Sequence, residues 1–180
     1  MKPEFYIVVD IEASGPIPCK YSMLSLGAAT LTDPPESFYV EIKPDKDGCQ
    51  QEAMDVHGLS FEELKATGTE AKAAMEDLAA WVAEVTPDGA DPIFCAFNAP
   101  FDWMYVNDYF HCYLGYNPFG HKALDIKALY MGHRKTTWGE TSHAAISAVY
   151  QKAESLSHHA REDALQEAQL LKNILEDINS

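Results

Sequence analysis

The chain has 180 residues, 47% hydrophobic and 23% charged, enough for one domain, residues 1–180, with a substantial core. Acidic residues outnumber basic ones 28 to 13, a formal charge of −15, which argues against a broad DNA-coating surface because phosphate binding draws on Lys and Arg. No apolar run approaches the roughly 20 residues that cross a bilayer, and the start MKPEFYIVVD lacks the basic segment and long apolar stretch of a secretory signal. No membrane association and a cytoplasmic location are expected.

In chain order, EFYIVVDIE (4–12) reads as a buried central strand. SMLSLGAATL (22–31) and ESFYVEIKP (36–44) read as two more strands, joined by the turn signal TDPP. After VHGL, Ser60 and Glu63 form an S-x-x-E capping box that opens a helix. TEAKAAMEDLAAWVAEV (69–85) is helical, with Met75, Leu78, Ala79, Val82 and Val85 on one face, and TPDGADP breaks it. IFCAF (93–97) is a compact strand ending at Asn98, whose side chain suits the N-cap of the next helix, with Pro100 in its first turn. Asp102 then lies close to a helix N-terminus. ALDIKALYM (123–131) and SHAAISAVYQKA (142–153) are predicted helices separated by polar GHRKTTWGET. The last helix, from about His159 to Ile178, carries Ala160, Ala164, Ala168, Leu171, Leu175 and Ile178 on one face. Leading strands followed by alternating helix and strand imply an α/β layer architecture, a mixed sheet covered by helices.

Four cysteines, Cys19, Cys49, Cys95 and Cys112, are widely spaced with no C-x-x-C pair and read as reduced, inert thiols. Residues 121–135 hold Lys122, Lys127, Arg134 and Lys135 against Asp125 alone. This basic stretch suits either a substrate-facing patch or a solvated surface.

Four acidic residues, at three places in the chain, carry chemistry. On a strand, residues i and i+2 share a face, so Asp10 and Glu12 converge just before the Gly15-Pro16 turn signal. Two such carboxylates repel and raise one another's pKa unless cations sit between them. Alone D-x-E says little, because 13 Asp and 15 Glu produce such a match by chance. Asp102 stands where a helix macrodipole favours the ionised form, and Asp163 borders the apolar face of the last helix.

Taken together, DIE, FNAPFD and HHARED, in that order and those contexts, resemble the DEDDh family of 3′ to 5′ exonucleases. That family carries D-x-E on its first strand, N-x-x-x-D after a later strand and H-x-A-x-x-D at the start of its last helix. Here the matches are Asp10 and Glu12, Asn98 and Asp102, and His158, Ala160 and Asp163, and VHGLS is similar to the family's connecting segment. The likeness runs over roughly residues 5–175. It departs at Ala13-Ser14, where Thr often follows the Glu, at Phe97, often His, and at Ser25, which replaces a usual acid.

The resemblance implies a ribonuclease H-like fold with a central mixed five-stranded sheet flanked by helices. It also implies hydrolysis of single-stranded DNA or RNA from the 3′ end, releasing nucleoside 5′-monophosphates, with two divalent cations, Mg²⁺ or Mn²⁺, held by Asp10, Glu12, Asp102 and Asp163. Oxygen donors suit those metals better than zinc. The general base is either of two histidines. Helical spacing alone puts His159, four residues before Asp163, on the same face; the family pattern puts His158 there, in the loop ahead of the helix, and is followed. Ala13, Ser14, Asn98 and Phe101 are the expected substrate contacts, with Trp103 between base stacking and core packing. His57 borders the site, and several relatives are homodimers, so that assembly is an expectation as well. A phosphodiesterase for dinucleotides or very short oligonucleotides, and a noncatalytic RNase H-like binding module, are the rival readings.

Overall fold

In a computed structural model, residues 2–150 and 157–180 are described. The strands are β1 (Glu4–Ala13), β2 (Met23–Thr30), β3 (Ser37–Glu41), β4 (Asp91–Ala96) and β5 (Ala123–Asp125). They form one sheet in the order β3-β2-β1-β4-β5. The pairs β1–β2 and β2–β3 are antiparallel, whereas β1–β4 and β4–β5 are parallel. The helices are α1 (Gln51–His57), α2 (Phe61–Thr67), α3 (Ala71–Val85), α4 (Pro100–Tyr113), α5 (Ile126–Arg134), α6 (His143–Tyr150) and α7 (Ala160–Ile178). This is the mixed five-stranded α/β sheet anticipated from the sequence.

The side-chain period of two divides β1 between two cores. Ile7, Val9 and Ile11 join Ala74, Met75, Leu78 and Val82 of α3 and Tyr105, Val106 and Phe110 of α4. Val8 faces the other way, into a layer with Ile126, Ile146, Ala164, Leu170, Leu171 and Ile174. Asp10 and Glu12 follow Val8 in that alternation, so the acids emerge on the side that α7 covers. Burial on both faces is why the run FYIVV is apolar without alternation.

Three local expectations are corrected, and one helix was not expected. Residues 123–125 are a strand rather than the start of a helix; they pair with Phe94, Cys95 and Ala96. Helix α1 lies in a stretch whose polar residues, Gln50 to Gln51 and Glu52, gave no periodic signal. Asn98 does not cap α4: it takes a left-handed turn at φ 68, and Ala99 occupies the N-cap position without a side-chain hydrogen bond. Its role falls to Asp125, whose Oδ2 accepts the Ala99 N–H at 2.7 Å while its Oδ1 caps α5 at Ala128. At Ser60, the side chain accepts the Glu63 N–H as expected, forming half of a capping box. Residues 151–153 of the predicted SHAAISAVYQKA helix lie outside the described residues. All four cysteines are free, and Cys95 is buried.

Candidate active site

The C-terminal end of β1 meets β2 at an irregularity: Glu12 pairs with Ser25, whereas Ala13 pairs with Met23, leaving Leu24 as an extra residue on β2. Such bulges re-aim side chains at sheet ends. Two pairs before Glu12, Asp10 lies opposite Gly27. A side chain at Gly27 would overlap the backbone of Ala160 and Arg161, so this glycine lets the first turn of α7 rest directly on the sheet. That contact carries Asp163 to the face bearing Asp10 and Glu12.

Asp163 is nearly fully buried and tied to the loop before its own helix. Its Oδ1 accepts the N–H and hydroxyl of Ser157 at 2.8 and 3.0 Å, and its Oδ2 accepts the His158 N–H at 2.9 Å. His158 takes a left-handed conformation, φ 55, of the kind that clusters at functional sites. The result is a tight group: ligand atoms of Glu12, His158 and Asp163 all lie within 4.8 Å of one another. His159 occupies the N-cap of α7 and stacks on Tyr39 of the β3 edge, ring centroids 4.6 Å apart.

Asp102 reaches the site from α4. Its Oδ1 accepts the Ile11 N–H, which sits between Asp10 and Glu12. Helix α4 is fastened along its length by a row of polar side chains. The Tyr105 hydroxyl donates to the Gly15 carbonyl, the Tyr109 hydroxyl accepts from the Met23 N–H and donates to Asp45, and the Tyr113 hydroxyl also donates to Asp45.

The carboxylates are held in an environment hostile to charge. Burial pushes Glu12 up to about 8, with Asp163 and Asp102 adding repulsion. Asp102 is likewise raised to about 8 by burial, against the hydrogen bonds from backbone N–H groups that favour its charge. Burial therefore outweighs the helix dipole that the sequence suggested would keep Asp102 ionised. Asp10 is raised well above the carboxylate range by burial and by Glu167, Asp102, Glu12 and Asp163, in that order. Among the described residues no Lys or Arg forms an ion pair with any of these acids. A set of oxygen donors lacking cationic side chains fits hard divalent cations.

Beside the acids lies a cavity of about 290 Å³ lined by Glu12, Ala13, Gly15, Pro16, Gln50, Ala53, Val56, His57 and Phe101. Its walls are mostly apolar, and Val56 is 53% exposed at its mouth. Helix α1, illegible in the sequence, supplies one wall. His57 is the bordering histidine that was expected; its Nδ1 accepts the Leu59 N–H, and burial lowers its pKa. Of the expected contacts, Ala13 and Phe101 line the cavity. Ser14 is fully buried and internally committed: its hydroxyl donates to the Gly48 carbonyl and accepts the Ser22 N–H, while its own N–H donates to Ser22. Asn98 is exposed at the turn before α4. Trp103 packs edge-on against Phe94 in the core. In the basic stretch, Arg134 pairs with Asp177, whereas Lys127 lies over the rings of Trp138 and Phe97. Sequence reasoning missed Glu167, a buried acid one turn beyond Asp163; its signal was a charged residue on the apolar stripe of α7.

No family model matches the chain. The 3′–5′ DNA exonuclease Cap18 of Escherichia coli is 41% identical over 171 residues, covering 95% of this chain and 91% of that protein. The chain belongs to the DEDDh 3′–5′ exonucleases. The nuclease domain of 3′hExo, a DEDDh family member, bound to rAMP, superposes with a TM-score of 0.79 at 13% identity, covering 97% of this chain and 93% of that one. Escherichia coli Exonuclease I in complex with a dA16 oligonucleotide gives 0.72 at 15% identity, covering 97% of this chain and 42% of that one. The ribonuclease H-like fold of the DEDDh exonucleases is thus shared at very low identity, and the protein is a hydrolase of phosphodiester bonds. No described helix is long and apolar enough to cross a membrane.

Proposed function

We propose that this DEDDh exonuclease removes nucleoside 5′-monophosphates one at a time from the 3′ end of single-stranded nucleic acid, using two divalent cations and His158 as general base. The observation that carries the reading is the convergence of Glu12, His158 and Asp163 within 4.8 Å, between the strand that bears Asp10 and the helix that bears Asp163. DNA is the favoured substrate, because the relative at 41% identity is a DNA exonuclease.

In this reading Asp10, Glu12, Asp102 and Asp163 are the carboxylates that would hold the cations. Bound Mg²⁺ or Mn²⁺ would neutralise charge on the phosphate and the leaving 3′ oxygen and lower the pKa of water. The chain's own residues do the rest. His158, exposed on its left-handed turn, accepts the proton of the attacking water. The cavity between Phe101, Val56 and Ala53 receives the terminal base, where stacking on an aromatic ring is worth about 1–3 kcal/mol. Its volume is at the small end of ligand pockets, roughly 300–1,000 Å³, which suits one terminal residue. The internal bonds of Ser14 leave Ala13, Gln50 and His57 as the polar and backbone contacts nearest that residue, whereas Asn98 lies outside the cavity lining.

The test is incubation of 5′-labelled single-stranded DNA and RNA with Mg²⁺, Mn²⁺ or EDTA. A 3′ ladder with either cation, absent in EDTA and absent in Asp10→Asn and Asp163→Asn, is expected; undiminished ladders from either variant would overturn the site. The net charge of −15 favours a second reading, in which very short oligonucleotides are preferred because a long polyanion is repelled. A higher kcat/KM for a dinucleotide than for a 20-mer would support it.

A further inference from the structure

Glu167 occupies an unusual place. Its neighbours along the buried stripe of α7 are Ala160, Ala164, Ala168 and Leu171, all small or apolar. Instead it bears a carboxylate that is 2% exposed, and its Oε2 has no hydrogen-bond partner. An ionised carboxylate left unpaired in such a layer costs several kcal/mol or more. Four residues after Asp163, it projects from the same helix face one turn deeper. Among the charged neighbours of Asp10, Glu167 acts most strongly, and Glu167 itself feels Asp102 and Asp163 most. The Phe97 backbone favours its charged form. Among the described residues no Lys or Arg is paired with it.

We propose that Glu167 is a fifth carboxylate of the cation site, offering its unpartnered oxygen, directly or through a bound water, on the side that Asp10 and Asp102 share. This rests on the two-cation reading given above and adds to it a residue outside the D-x-E, N-x-x-x-D and H-x-A-x-x-D pattern.

The experiment is calorimetric titration of the purified protein with Mn²⁺, together with thermal melts in EDTA and in saturating Mn²⁺. Replacing Glu167 by Gln keeps shape and removes charge. Its expected effects are a fall of about ten-fold or more in Mn²⁺ affinity, the scale seen when groups supporting metal ligands are removed, and a smaller rise in melting temperature on adding Mn²⁺. Glu167→Asp, which keeps the charge one methylene further back, falls between the two and serves if the Gln variant does not fold. Unchanged affinity and an unchanged Mn²⁺-induced rise in the variants would reduce Glu167 to a packing residue and overturn the proposal alone. Absence of Mn²⁺ binding by the wild-type protein, with Asp10→Asn melting identically in both buffers, would overturn the two-cation reading and this one with it.

Discussion

At the residue scale, the two adjacent histidines separate by what holds them. His158 is fixed through its backbone N–H to the Asp163 carboxylate, so the carboxylate and the proposed base are built as one unit. His159 spends its ring on Tyr39. His158→Ala is expected to lower kcat on a 3′ end by about 100-fold or more, the usual worth of a positioned base, and His159→Ala to change it little; steady-state kinetics on a labelled strand decide, and a larger loss in the second variant would reassign the base. Helical periodicity pointed to His159, because it treats the residues before α7 as more helix. The left-handed turn at His158 breaks that extrapolation, and only the motif pattern carried the information. Asp10, Glu12, Asp102 and Asp163 were legible as a set for the same reason. Glu167 was not, since a lone acid on an apolar stripe declares its surroundings only once β1 and α4 are packed beside it.

Among the elements, α7 and its seat decide whether the site assembles. Gly27 lies opposite Asp10, and the Ala160–Arg161 backbone occupies the space where any side chain at Gly27 would stand. Gly27→Ala must therefore lift the N-terminus of α7 from the sheet and draw Asp163 away from Glu12. The expected outcome is a loss of about 1–3 kcal/mol of stability, as overpacked cores show, and a much larger proportional loss of nuclease activity; denaturant melts and kinetics on the same preparation compare the two. The strands and long helices were readable from periodicity because their signal is local. Strand β5 was not: its three residues become a strand only by pairing with β4, and their apolar spacing continues smoothly into α5. Likewise α1 has no apolar face of its own to announce it, Met54 being its sole buried residue.

For the whole molecule, the acids make stability depend on pH in the direction opposite to that of a salt-bridged carboxylate. Glu12 and Asp102 are raised to about 8 in the folded chain from ordinary values near 4, so the folded state holds protons that the unfolded chain has already released. Their contribution is complete below about pH 4 and is lost progressively as pH climbs toward 8, at about 1.4 kcal/mol for each unit of pKa difference. In EDTA the melting temperature is expected to fall between pH 5 and pH 8, and Mg²⁺ or Mn²⁺ to abolish most of that fall. General repulsion among 28 acidic side chains also grows with pH, but 0.5 M NaCl screens it; if salt restores the melting temperature as well as millimolar Mn²⁺ does, the buried acids are not its source. The row of hydrogen bonds along α4 has a further effect on how the site responds. Asp102, Tyr105, Tyr109 and Tyr113 grip the chain at Ile11, Gly15, Met23 and Asp45, the last two tyrosines sharing the Asp45 carboxylate. A helix shifted along its axis by one residue, about 1.5 Å, would release all four grips together. Helix α4 thus works as a notched bolt with a single seated position, and the Asp102 carboxylate keeps its hold on the Ile11 N–H only while the three tyrosine hydroxyls keep theirs.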